Sequence, residues 1–166
     1  MTSPAQSSPR AIADLTSGTI LASVEIAAPP ERVFRAISSA EVADWWGSAE
    51  TYRVTRWTAD LRAGGWWRSE GVSATGQQFT VSGDILEFEP PRLFVHTWCY
   101  DHKPGDVTTV RYLIEPIPGG SRLTIRHGGF TDREACEGHA QGWERVLSWL
   151  TTFLTTVGPG EHHLDT

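Results

Sequence analysis

Hydrophobic and polar positions alternate along most of this chain, and the period changes to a helical one in two places. Ile20, Ala22, Val24 and Ile26 alternate with small or polar residues, the pattern of a half-buried strand, which Pro29 and Pro30 end. Pro30 also suits the first turn of a helix. The segment ERVFRAIS then carries Val33, Phe34 and Ile37 at helical spacing, and EVADWW adds a second short turn. From there to Phe130 the signals are β: runs such as FTVSGDILEF, RLFVHTWCY, TVRYLIE and RLTIRHGGF lie between Gly64-Gly65, Pro90-Pro91, Pro104-Gly105 and Gly119-Gly120. These turns predict a meander of six antiparallel strands.

The second helical period is long. Thr131 followed by Glu134 is a capping-box pattern, so a helix is expected over residues 132–157. At about 100° per residue, Ala135, His139, Trp143, Val146, Leu147, Leu150, Phe153, Leu154 and Val157 share one stripe. Gly138 and Gly142 sit at the edge of that stripe, and each costs about 1 kcal/mol against alanine in a helix interior. Close approach to a neighbouring backbone, or space left for Trp149 or a ligand, is the expected compensation. A curved antiparallel sheet around such a helix, with the short helices closing one end, encloses a cavity. This is an α+β architecture.

Composition narrows the function. The 166 residues and 39% hydrophobic content suit one domain with a real core. Fourteen basic against twenty acidic side chains give a net charge of −6, so no positive field draws nucleic acid. There is no signal-peptide core and no run near the ~18 apolar residues of a membrane span, so a cytoplasmic protein without membrane contact is expected. Cys99 and Cys136 form no CxxC pair, which argues against a disulfide framework or a thiolate zinc site. Residues 1–18 and 158–166 show no apolar period and read as tails around a domain at 19–157.

The segments ADWWG, DLRAGGWW, GDILEFEPPRLFVHTW, EPIPGGSRLTIRHGGF and EGHAQGWERVLSWL, in that order, resemble the bacterial domains similar to the C-terminal domain of the activator of the heat-shock protein 90 ATPase. These belong to the START-like (SRPBCC) superfamily, which includes polyketide cyclases and lipid-transfer proteins. The resemblance implies a helix-grip fold: a seven-stranded antiparallel sheet gripping the C-terminal helix around a mostly hydrophobic pocket. It brings no shared catalytic motif, so no catalytic residue is carried over. His96 departs from the pattern, since the relatives more often place an apolar or aromatic residue there.

Alternation then selects the pocket side chains. Trp67 in the family's GGxW pattern points inward, which sends Ser69 in and Trp66 and Arg68 out. The same parity turns Phe94, His96 and Trp98 inward, with Val110, Tyr112 and Ile114 on the next strand and Leu123, Ile125 and His127 on the last. A bulge near Gly83 would change the parity of Phe79 and Val81 relative to Ile85. Trp46 sits near the mouth. The candidate ligand-binding residues are therefore Trp46, Trp67, Phe79, Phe94, His96, Trp98, Tyr112, His127, His139 and Trp143, with His139 and Trp143 sharing one cavity with Trp67, Trp98 and His127. For Trp67, Trp98 and Trp143, plain core packing is an equal reading. His96 and His127 stand on strands separated by another, ~9–10 Å apart, and no carboxylate shares their faces, so neither a metal nor another cofactor is expected.

Three functions are compatible with this reading. Binding of a small, mostly hydrophobic or amphiphilic molecule, without catalysis, ranks first. A polyketide cyclase- or dehydratase-like enzyme using an acid/base pair in the same pocket is the alternative. A chaperone-interacting stress protein ranks last. A weak homodimer through an exposed Trp57 or Trp66 is the expected assembly.

Overall fold

A computed structural model describes residues 7–156; Val157 and the tail expected at 158–166 lie outside the described residues. The elements are β1 (Arg10–Asp14), β2 (Thr19–Ile26), α1 (Pro30–Ile37), α2 (Val42–Trp45), β3 (Tyr52–Ala59), β4 (Trp66–Ser73), β5 (Gln78–Glu89), β6 (Leu93–Tyr100), β7 (Thr108–Ile117), β8 (Gly120–Gly128) and α3 (Arg133–Thr156). The strands form one antiparallel sheet in the order β1-β2-β8-β7-β6-β5-β4-β3. The six-strand meander is β3 to β8, each strand paired to the next. The architecture is the expected α+β helix-grip fold, with eight strands in place of seven.

The eighth strand corrects the expected N-terminal tail. Residues 10–14 pair with β2 in register, Ile12 opposite Leu21. The turn that returns the chain is built by Asp14, whose carboxylate accepts the Thr16 N–H and hydroxyl at 3.0 and 2.6 Å, while Gly18 takes a positive φ of 67°. Hydrophobicity hides this strand, because Ile12 is 72% exposed and the inward positions are Ala11 and Ala13. Glu144 of α3 accepts the Ala11 N–H at 3.0 Å, so the helix covers part of the free edge.

Strand parity holds where the ladders are regular. Trp67 and Ser69 are buried while Trp66 and Arg68 are exposed, and Phe94, His96, Val110, Tyr112, Ile114, Leu123, Ile125 and His127 are all buried. Two bulges decide the rest. The β3–β4 register slips between Val54 and Arg56, so Val54 and Trp57 are both buried despite their odd separation, and Trp57 stacks on Trp67 at 6.5 Å. Trp66 is thus the exposed member of the pair expected on the outer face. In β5 the slip falls between Ile85 and Glu87, beyond Gly83, and leaves Phe79, Val81 and Ile85 in one parity.

The long helix starts one residue late. Asp132 supplies the cap, its carboxylate accepting the Glu134 N–H at 3.1 Å. Trp143, Val146, Leu147, Leu150 and Leu154 are buried as the stripe predicts, with Cys136, Ala140 and Thr151 beside them; Ala135, His139 and Phe153 lie half-buried at its margin. The helix packs on β1 and β2, whereas α1 packs on β7 and β8 and α2 on β3. The long helix and the short pair therefore divide the concave face.

Gly138 and Gly142 do not mediate a close approach: a Cβ at either position meets nothing within 4 Å. The close approach is at Gly83, which pairs with Trp67 and where a Cβ would lie 2.0 Å from the Thr97 carbonyl oxygen. In urea denaturation, Gly142→Ala is expected to stabilise the chain by about 1 kcal/mol through helix propensity. Gly83→Ala is expected to destabilise it by about 1–3 kcal/mol, because backbone must move to admit the methyl group.

Candidate functional site

Beside Gly83 the β5–β6 ladder opens. The Asp84 N–H donates to the Thr97 hydroxyl at 2.8 Å, and the Thr97 carbonyl accepts two side chains: the Trp67 indole N–H at 2.8 Å and Nδ1 of His96 at 2.9 Å. A carbonyl can only accept, so Nδ1 of His96 carries its proton and Nε2 is left as a lone-pair acceptor. One backbone oxygen thus sets the orientation of two neighbouring rings. Burial holds the His96 pKa down to about 4, so the ring is neutral at ordinary pH.

His96 lines a cavity on the concave face with Ile37 and Val42 from the short helices, Trp46, and inward side chains of β3 to β7 including Tyr52, Trp57, Trp67, Ser69, Phe79, Trp98, Tyr100 and Tyr112. The cavity volume is about 50 Å³. That is room for a few waters as the chain stands. The rings lie in mutual contact: Trp67 and His96 are 4.6 Å apart, Trp67 and Trp98 5.4 Å, and Trp46 and Trp98 6.0 Å between centroids. Trp46 donates its N–H to the Tyr52 hydroxyl at 3.2 Å. Among the described residues, the Ser69 hydroxyl, the Tyr112 hydroxyl and His96 Nε2 make no hydrogen bond, and burial raises the Tyr112 pKa.

No α3 residue lines this cavity, contrary to the expected space between sheet and C-terminal helix. The reason is a buried hydrogen-bond chain that closes the ground below α3. Trp143 donates its indole N–H to Nδ1 of His127 at 3.0 Å, which obliges Nε2 to carry the proton and donate to the Thr108 hydroxyl at 2.7 Å. Thr108 in turn donates to the Trp98 carbonyl at 3.5 Å. Both nitrogens of His127 are occupied by protein. Its pKa lies well below the ordinary value, first through burial and then through His139 and His96.

His139 stands on the far side of this wall. Its ring packs against Phe130 at 5.0 Å and edge-on to His127 at 5.3 Å, and it lines a separate pocket of about 160 Å³ with Trp98, Tyr100, Thr108 and Asp132. Burial lowers its pKa as well. Trp98 contributes to both pockets; its indole N–H is buried and has no partner among the described residues. The Tyr100 hydroxyl lies close enough to that N–H to oppose the rise that burial and Tyr52 impose on its pKa, but outside hydrogen-bond geometry.

The structure therefore brings together Trp46, Trp67, Phe79, His96, Trp98 and Tyr112 of the predicted set. Phe94 is fully buried among Phe34, Phe88 and Tyr112, His127 and Trp143 form the wall, and His139 faces the second pocket. The single cavity expected to join His139 and Trp143 with Trp67, Trp98 and His127 is two cavities with a wall between them. Alternation did not select Tyr52, Trp57 or Tyr100. Tyr100 continues the alternation of Phe94, His96 and Trp98 and was legible; Trp57 was hidden by its bulge. Among the described residues, no three His, Cys, Asp or Glu side chains converge to hold a metal ion, and no helix is long and apolar enough to cross a membrane.

A curved antiparallel sheet with a long C-terminal helix and an aromatic hollow closed by two short helices defines the START-like, helix-grip class. Within it the chain belongs to the family of activator of Hsp90 ATPase homolog 1-like proteins, which its residues 27–155 match. Solved structures agree. A protein from Rhodobacter sphaeroides is similar with a TM-score of 0.76 and 21% identity, over 90% of this chain and 99% of that one. The AHSA1 protein from Silicibacter pomeroyi is 29% identical with a TM-score of 0.69, over 89% and 99%. Protein CV1439 from Chromobacterium violaceum is 25% identical with a TM-score of 0.72, over 82% and 96%. No curated protein matches the sequence.

Three imidazoles whose pKa burial lowers, those of His96, His127 and half-buried His139, contribute to the acid stability. Each has its folded pKa below the unfolded value near 6.5, so the unfolded chain binds more protons as pH falls. Their contribution is fully present above about pH 6.5 and is lost as pH falls from there through the folded value, about 4 for His96. Denaturation curves between these limits should show stability dropping by ~1.4 kcal/mol per pH unit for each extra proton bound on unfolding. Trp143→Phe, which strands Nδ1 of His127, should cost at least about 1–3 kcal/mol at neutral pH and flatten that slope.

Proposed function

We propose that the protein binds a small, mostly hydrophobic molecule in the aromatic cavity on the concave face. The observation that carries this reading is the composition of the wall: aromatic and aliphatic surface supplies affinity, and three polar groups without a partner among the described residues, on Ser69, His96 and Tyr112, remain to orient a guest. None of the three atoms is sealed off in the packing, so each is open to a partner inside the cavity. The entry side is marked by Tyr52, Phe79 and Tyr100, which line both the cavity and the surface depression next to it. A guest larger than a few waters would displace one of these rim rings.

The enzyme alternative draws on the same polar groups. His96 and Tyr112 lie 5.7 Å apart between ring centroids, but burial makes His96 a weaker base and Tyr112 a weaker acid, which moves both away from the range that suits proton transfer at neutral pH. Binding without turnover needs fewer parts, and it is the reading we adopt.

Filling the cavity tests it. Ser69→Leu places an apolar side chain where a free hydroxyl now stands, so the fold should survive with unchanged or raised melting temperature. In a thermal-shift screen of small apolar molecules, compounds that stabilise the unmodified protein and quench its tryptophan fluorescence should lose both effects in this variant. Equal stabilisation of the two proteins would place the binding elsewhere.

A further inference from the structure

The polar groups of the cavity narrow its guest to a chemical class, a step that rests on the binding reading. The indole N–H of Trp67 is spent on the Thr97 carbonyl and that of Trp46 on the Tyr52 hydroxyl, while that of Trp98 has no partner among the described residues but is buried within the packing and not exposed in the cavity. Among the described residues, no lysine, arginine, aspartate or glutamate lines the cavity. The acceptor left facing a guest is Nε2 of His96, held in that tautomer by the bond from Nδ1 to Thr97, with the Ser69 and Tyr112 hydroxyls able to donate or accept beside it.

We infer that the cavity selects an uncharged guest whose leading end carries one hydroxyl or N–H group, donated to Nε2 of His96. A carboxylate would meet a lone pair at Nε2 and find no cation to pair with, and burying it unpaired is costly. An ammonium would find aromatic faces and neutral acceptors, but no carboxylate among the described residues to offset the loss of its hydration shell. The cavity's own groups respond to these conditions. Burial pushes the base, His96, toward its neutral form by lowering its pKa, and pushes the acid, Tyr112, toward its neutral form by raising it. A site that disfavours positive charge on one wall residue and negative charge on the next disfavours either sign on a guest between them. The small free volume adds a limit on size: a single ring or short chain leads, and any larger remainder lies at the rim formed by Tyr52, Phe79 and Tyr100.

Calorimetric titration at about neutral pH with phenol, benzene, benzoate and benzylammonium tests this on the unmodified chain. Phenol should bind about three- to tenfold tighter than benzene, the worth of one hydrogen bond, and benzoate and benzylammonium should bind more weakly than benzene. His96→Phe keeps an aromatic ring and removes the acceptor, so phenol affinity should fall to that of benzene while benzene affinity changes little. Benzoate or benzylammonium binding as tightly as phenol would overturn the inference and leave the binding reading standing. So would equal affinities for phenol and benzene, a result that needs no variant and holds even if His96→Phe does not fold. If none of the four binds, the binding reading itself fails and the inference goes with it.

Discussion

The concave face of this sheet holds imidazole and indole nitrogens away from bulk water, where a partner inside the protein or an open cavity replaces it; the Trp98 N–H has no partner among the described residues. Two buried histidines meet that constraint in opposite ways. His127 has a donor on one side and an acceptor on the other, Trp143 and Thr108, so it is consumed by the fold. His96 has one nitrogen consumed by the next residue's carbonyl and the other left over. The difference separates wall from cavity lining, because a fully satisfied network rigidifies and a half-satisfied one leaves an acceptor free.

The placement of α3 and of the short α1–α2 pair reflects the same division. Trp143 and His127 tie α3 to the β8 and β7 side of the sheet, where its apolar stripe also covers β1 and β2. The β3 to β6 side then needs another roof. Glu41 pairs with Arg32 at 2.7 Å and Arg35 at 2.9 Å, and Trp45 donates to the Ala36 carbonyl at 2.9 Å, which binds α2 to α1 and sets Val42 and Trp46 over the cavity. That roof is short and partly exposed, whereas the floor is continuous sheet. Any expansion of the cavity is cheaper at the roof and rim than at the floor, where strand ladders would have to break.

The ladder opening beside Gly83 shows how a sheet can serve a site without giving up a strand. The missing side chain lets the Thr97 carbonyl approach, and the Thr97 hydroxyl replaces the lost backbone acceptor for Asp84. The carbonyl is freed to hold Trp67 and His96. A β-sheet usually spends its carbonyls on its own ladder; here one is diverted to the site at the cost of a single side-chain substitute.

What the sequence determined by itself was whatever depends on period and on turn chemistry. The 2.0 and 3.6 periods and the glycine and proline punctuation specify β2 to β8, the three helices and the inward parity of Trp67, Phe94, His96, Tyr112 and His127, since these depend on which face of a regular element is apolar. Ordered motifs added the helix-grip class. The rest was decided by partners distant in the chain. Bulges at Thr55 and Leu86 reset parity where no residue announces them, and β1 is held by pairing and by α3 despite carrying one large, exposed apolar side chain. Parity turned both His96 and His127 inward alike. Only the tertiary structure sets Trp143 against one and a cavity beside the other, because a hydrogen bond depends on where two side chains end in space, and the local period of a strand does not carry that distance.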